Sequence, residues 1–144
     1  MHQTIRHFFT TEDKFARHNG IVLEELGAGT AKASMRIEPY HLNGAKTVHG
    51  GAIFTLADFT FAVAANSHGS LAMGINTSVS FVKAATSGTL HAEAVELSHN
   101  AKLATYAVKI TDDDGDLVAF FQGIAYRKKE LITARLHPAD PPVA

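Results

Sequence analysis

The chain has 144 residues, of which 46% are apolar and 19% charged, with a formal net charge of −1. That length can bury one hydrophobic core without covalent staples, and the composition is neither that of a disordered chain nor that of a membrane protein. With no cysteine, a disulfide scaffold, a thiolate nucleophile and a cysteine-ligated metal are excluded; the scattered, nearly balanced charge removes the electrostatic case for binding nucleic acid.

The first residues, Met-His-Gln-Thr-Ile-Arg-His, run into Thr10-Thr11-Glu12-Asp13 without an apolar h-region, so no secretory leader is expected. Acids at 12 and 13 followed by Asn19-Gly20 predict one short helix between them. Ile21 to Leu26 and Thr30 to Ile37 read as a strand pair about a Gly27-Ala28-Gly29 turn, and Pro39 to Val48 as a loop containing Asn43-Gly44. Residues 50–66 then form a long stretch that is apolar at nearly every position, closed by Ser67-His68-Gly69. A helix of that kind is buried on most sides rather than amphipathic.

After the helix the period changes to two. Ile75, Thr77, Val79 and Phe81 alternate with Asn76, Ser78 and Ser80, which with Gly74 predicts a small, polar strand face. His91 to Leu97, Ala104 to Ile110 and Val118 to Tyr126 follow as strands, the last two joined by an Asp113-Asp114-Gly115 turn. One buried helix needs a cover, and a curved antiparallel sheet wrapped around it is the simplest one, which makes the fold class α+β. Residues 1–130 are read as one domain, and 131–144, with three of the four prolines, as a tail loose on the surface. The longest apolar run, 52–65, is too short to span a bilayer, so a cytoplasmic protein with no membrane partner is expected.

Between Thr47 and Val82 the only Asp, Glu, Lys or Arg is Asp58. It lies two turns into the helix, and its neighbours one turn away, Phe54, Thr55, Phe61 and Ala62, offer no cation. An unpaired carboxylate in such a place is costly, and proteins retain one mainly where chemistry requires it. The blander readings are a solvent-facing strip or a bond to a partner subunit. His49-Gly50-Gly51 at the helix start strengthens the functional one, because unpaired N–H groups and the helix dipole meet there and glycine lets a carbonyl approach. The start of the helix is thus a candidate oxyanion site about two turns, or about 11 Å, from the carboxylate. The 9 histidines are spread over different elements without an H-x-x-x-H or H-E-x-x-H spacing, so neither a metal nor a cofactor is expected.

The run from His41 to Asp58, H-L-N-G-A-K-T-V-H-G-G-A-I-F-T-L-A-D, resembles the signature of PaaI-type hot-dog thioesterases, the phenylacetate-degradation thioesterases. The likeness continues through Phe59-Thr60-Phe61-Ala62 and covers nearly the whole chain. It implies a hot-dog fold and hydrolysis of an aryl- or medium-chain acyl-CoA, coenzyme A being part of the substrate rather than a cofactor. Asp58 matches the catalytic carboxylate, nucleophile or general base; Gly50 the residue whose N–H polarises the carbonyl; Asn43 the amide that positions water or the carboxylate. His49 matches the motif as a catalytic or a loop-bracing residue. Gly51 and Phe54 are expected to touch the substrate. Where some relatives carry a Ser or Thr hydroxyl this chain has Gly74, leaving Asn76 or Thr77 to substitute. Lys83, Asn100 and Lys102 fall where the family grips CoA, with Arg127-Lys128-Lys129 as another phosphate contact. The likeness further implies a homodimer with shared active sites, paired into a homotetramer. The alternatives left open are a non-catalytic acyl-CoA sensor and a hot-dog hydratase or dehydratase, which would pair His49 with Asp58.

Overall fold

Ile5 and Phe9 stand one helical turn apart, and together they bury the face of a helix that the sequence reading does not anticipate. In the computed structural model, which describes residues 1–136, this is α1 (His2–Glu12), followed at once by α2 (Lys14–His18). The acids read as a helix start open α2: Asp13 Oδ1 accepts from the Ala16 N–H and caps it, and Asn19 closes it as expected. The unanticipated helix is α1, which ends where α2 begins. Then come β1 (Ile21–Gly27), β2 (Thr30–Arg36), a one-turn 3-10 segment (Pro39–His41) and α3 (Gly50–Asn66). β3 (Ser70–Phe81), β4 (Thr89–His99), β5 (Leu103–Thr111) and β6 (Leu117–Leu131) complete the sheet.

Six strands pair antiparallel in the order β1-β2-β4-β5-β6-β3, so β1 and β3 are its edges. The sheet wraps α3, whose Ile53, Leu56, Ala57, Phe59, Phe61, Val63, Ala64 and Ala65 are buried against it, as an all-apolar helix demands. α1 and α2 close the far side, where Phe9 meets Phe59 edge to face. This is the α+β hot-dog arrangement, with the predicted helix boundaries of 50 and 66 reproduced.

Two expectations are corrected by the sheet. A bulge in β3 falls between Gly74 and Asn76, so Ile75 is an extra residue against β6 and the alternation changes phase there. Thr77, Val79 and Phe81 therefore share the helix-facing side with Gly74, and Gly74 does not belong with Asn76, Ser78 and Ser80. A Cβ on Gly74 would lie 2.9 Å from the Phe61 ring, and one on Gly123 equally close from β6. The two glycines form the notch that seats Phe61, 1% exposed and packed also on Tyr106 and Phe121. The second correction concerns the C-terminus. β6 runs five residues beyond its predicted end, Leu131 pairs with Ser70, and Ile132 in the following 3-10 turn is 1% exposed. Residues 131–136 are thus packed structure; the rest of the predicted tail lies outside the described residues.

Candidate active site

The start of α3 is organised by His49. Its backbone is extended (φ −59°, ψ 135°) and its Nδ1 accepts from the Gly51 N–H at 2.8 Å, making it the N-cap. Its carbonyl accepts from Ala52 and Ile53. The Gly50 N–H, at the first helical position, has no hydrogen-bond partner among the described residues, so it is the donor left over for a ligand. Phe81, at the end of β3, packs over Gly50: a Cβ there would stand 3.1 Å from the ring, which would have to give by a few tenths of an ångström.

Asn43 lies across the same cleft, which is about 340 Å³ and is lined also by Thr47, Phe81, Val82 and Lys83. Most of the hydrogen-bonding capacity of the Asn43 amide is spent on its own loop. Its Oδ1 accepts from the Ala45 and Thr47 N–H groups, and its Nδ2 donates to Thr47 Oγ1 at 2.9 Å. One Nδ2 proton remains. Thr47 is a site residue that the sequence reading missed, since only the folded loop brings its hydroxyl onto Asn43.

Asp58 lies about two turns further along α3. It is neither on a solvent strip nor sealed in the core but half-buried in a second cleft, about 470 Å³, with Phe54, Phe61, Ala62, Gly74, Asn76 and Thr77 among its walls. Burial raises its pKa above the ordinary carboxylate value, and the negative charge of Asp13 at the head of α2 adds to the shift. Asp13 therefore acts on Asp58 through space, a relation hidden in the sequence because the two are 45 positions apart.

One chain thus presents two separate clefts along α3. Gly50, Phe54, Asp58 and Ala62 are spaced i, i+4, i+8, i+12, one stripe of α3 beneath the β3 edge. The Gly50 N–H and Asn43 open on one cleft and the carboxylate on another. His49 lines a third, with Gly51, Phe15 and Tyr40; its Nδ1 is committed to the cap, and within one chain it does not share a cleft with Asp58.

The expected CoA contacts are dispersed. Lys83 lines the Gly50 cleft, but its ammonium donates to Asp112 at 2.7 Å and Asp116 at 2.8 Å, and these bonds push its pKa well above the usual lysine range. Asn100 Oδ1 accepts from the Lys102 and Leu103 N–H groups and so shapes the β4–β5 turn, and Arg127 holds the Asn100 carbonyl. This turn lies beyond the C-terminal end of α3, away from Lys83, and the two groups are not brought together within one chain.

The thioesterase superfamily model matches residues 45–119. The acyl-coenzyme A thioesterase PaaI of Escherichia coli is 30% identical over 128 residues, covering 88% of this chain and 91% of that protein. The structure of the E. coli PaaI protein superposes with a TM-score of 0.87 at 29% identity, covering 90% of this chain and 96% of that one. A candidate esterase of Archaeoglobus fulgidus is 38% identical over 131 residues, 90% of this chain and 85% of its own.

Proposed function

We propose a substrate class and a mechanism from one premise: the chain belongs to the thioesterase superfamily and is a PaaI-type hot-dog thioester hydrolase. The substrate is an acyl-CoA with an aryl or medium-chain acyl group, hydrolysed to the free acid and CoA. The acyl-CoA assignment is supported by the E. coli relative, named an acyl-coenzyme A thioesterase. The acyl assignment is supported by the walls of the Asp58 cleft, where Phe54, Phe61, Ala62 and Met73 offer an apolar slot.

The observation that carries the mechanism is a half-buried, unpaired carboxylate on the same helical stripe as an unclaimed N–H. The Gly50 N–H donates to the thioester carbonyl and stabilises the oxyanion that develops on it. Asp58 acts by one of two routes. As nucleophile, its oxygen bonds the acyl carbon, the C–S bond breaks, CoA leaves as thiolate, and water cleaves the resulting anhydride. As general base, it takes the proton of a water that the remaining Asn43 Nδ2 proton helps to orient, and that water attacks. Rapid quench of a single turnover with mass analysis separates them: an acyl group carried on Asp58 marks the nucleophile. A thiolate is a good leaving group, so neither route needs a strong acid beside it.

The site is shared by two chains. β3 is an edge strand with β6 on one side and, among the described residues, no strand on the other, and an open edge of 12 residues is a ready surface for pairing. Antiparallel pairing of two β3 strands about a two-fold axis reverses the helix direction, which lays one chain's Gly50 and Asn43 beside its partner's Asp58. Exposed Val95, Leu97, Leu103 and Tyr126 on the sheet support pairing of such dimers into a tetramer. The experiment is thiol release from a panel of acyl-CoAs, followed by mixing two inactive variants, Asp58→Ala and Gly50→Pro. Random reassociation gives about one quarter of wild-type activity if sites are shared, because half the dimers then hold one intact site, and none if they are not.

A further inference from the structure

A strand shows the same face every second residue, so Glu96 and His99 on β4 ought to point to opposite sides. They do not, because the pairing of β4 with β5 slips between Glu96 and Ser98 and turns the two onto one side. His99 Nδ1 stands 2.9 Å from Glu96 Oε2. From the turn that closes α3, 28 positions earlier, His68 Nε2 stands 2.9 Å from Glu96 Oε1. The two imidazoles are tilted by 40° with centroids 5.0 Å apart. The surroundings hold this arrangement firmly. Buried Tyr106 donates its hydroxyl to Glu96 Oε1 at 2.5 Å, and Gly29, whose N–H donates to buried Ser67, has no side chain and leaves room for Glu96.

We propose that His68 Nε2, the Glu96 carboxylate and His99 Nδ1 bind one divalent transition-metal ion, zinc foremost, as a structural clasp between the α3–β3 turn and β4. One potential ligand atom from each residue lies within 4.8 Å of the others. Zinc holds imidazole nitrogen and carboxylate oxygen at about 2.0–2.2 Å, which in a tetrahedral shell sets neighbouring donors about 3.4 Å apart. The two histidine nitrogens each stand 2.9 Å from a different oxygen of the Glu96 carboxylate, so loading draws side chains already in contact onto one shared ion. Two imidazoles and one carboxylate suit zinc, nickel or copper rather than calcium or magnesium, and leave a fourth position for water. The Tyr106 hydroxyl is the outer bond that fixes a ligating carboxylate. The side-chain exposures of His68, Glu96 and His99, 23%, 16% and 45%, leave the ion a way in.

Loading balances simply. Each ring nitrogen now facing Glu96 gives up its proton, to its own second nitrogen if the ring is neutral and to solvent if it is an imidazolium, and the metal takes the lone pair. Acid therefore weakens binding. No sequence spacing announces the cluster, since its ligands come from separate elements and one pair is aligned only by the bulge.

The test uses the full chain without a histidine tag, stripped with chelator, and titrated with cobalt(II) by visible absorption and with zinc by calorimetry. One ion per chain with a Kd of about 10 µM or tighter is expected, together with a rise in Tm of a few degrees on zinc addition. His99→Gln, on the exposed rim, should weaken uptake by about 100-fold and abolish the Tm rise, and Glu96→Gln should do the same. His91→Ala, which removes a histidine paired elsewhere with Asp113, should change neither reading. Absence of stoichiometric uptake, or uptake of the same strength in His99→Gln and Glu96→Gln, overturns the proposal.

Discussion

The two clefts along α3 differ in what makes them. At the helix start the chemistry is a property of backbone: an N–H that no carbonyl reaches, a glycine that leaves it open, and a histidine and an asparagine whose side chains are spent holding the loop in place. In the middle of the helix the chemistry is a property of one side chain, a carboxylate that the fold half-buries beside another negative charge. The first cleft is stable as it stands, and the second stores an unfavourable charge. The contrast teaches that the donor is maintained by geometry and the carboxylate against the interest of stability.

Removing the carboxylate breaks this contrast most severely. Asp58→Ala and Asp58→Asn should each lower kcat by at least about 1,000-fold, read by thiol release. The same Asn variant should melt higher than wild type at neutral pH. The sign follows from linkage. The native state holds the Asp58 proton more tightly than the unfolded chain does, so the group detracts from stability once pH rises above the unfolded value of 3.8. The deficit grows through the raised native pKa and is gone in acid, so the advantage of Asp58→Asn should vanish near pH 3. In wild type kcat should rise with pH through that raised pKa, as the carboxylate ionises. An Asp58→Asn protein that is both active and no more stable would reject the reading of this cleft.

Gly50→Pro tests the other cleft. Proline is tolerated at the first helical position, and the extended backbone of His49 is the one a following proline requires. The substitution deletes the N–H and leaves the helix, so kcat should fall by about 100-fold with a much smaller change in Tm. Phe81 must give a few tenths of an ångström for the ring, and its exposed edge allows that. A smaller effect is expected from Asn43→Ala, about 10-fold in kcat, with looser packing of residues 43–47 visible as faster amide exchange at Ala45 and Thr47. Least for catalysis is His49→Ala, which should cost about 1 kcal/mol of stability through the lost cap and change kcat within about threefold. His49→Asp should restore the stability. A large loss of kcat that the Asp variant fails to recover would make His49 more than a cap.

Much of this was legible in the residues. α3 was bounded correctly because a long apolar run ending in glycine has one plausible fate, and Asp58 stood out as the only formal charge between 47 and 82. The His41–Asp58 signature carried the family. What was not legible depended on contacts between distant positions. α1 was missed because its buried face is only Ile5 and Phe9, too sparse a period to stand out before the sheet covers them. Gly74 was put on the wrong face because a bulge is set by pairing with β6 and by the seat of Phe61, neither of which is local. Lys83 looked like a free phosphate contact until the β5–β6 turn placed two aspartates on it.

No helix among the described residues is long and apolar enough to cross a membrane, in keeping with a charge in the middle of the only apolar run of any length. Periodicity and composition alone determined that one helix would be wrapped by an antiparallel sheet, since those depend on local patterns that survive in any context. Tertiary structure alone decided that the donor and the carboxylate open on different clefts, that Asp13 bears on Asp58, and that Glu96 and His99 share a side. Each of these is a distance between segments, and distances between segments are fixed only when the core closes.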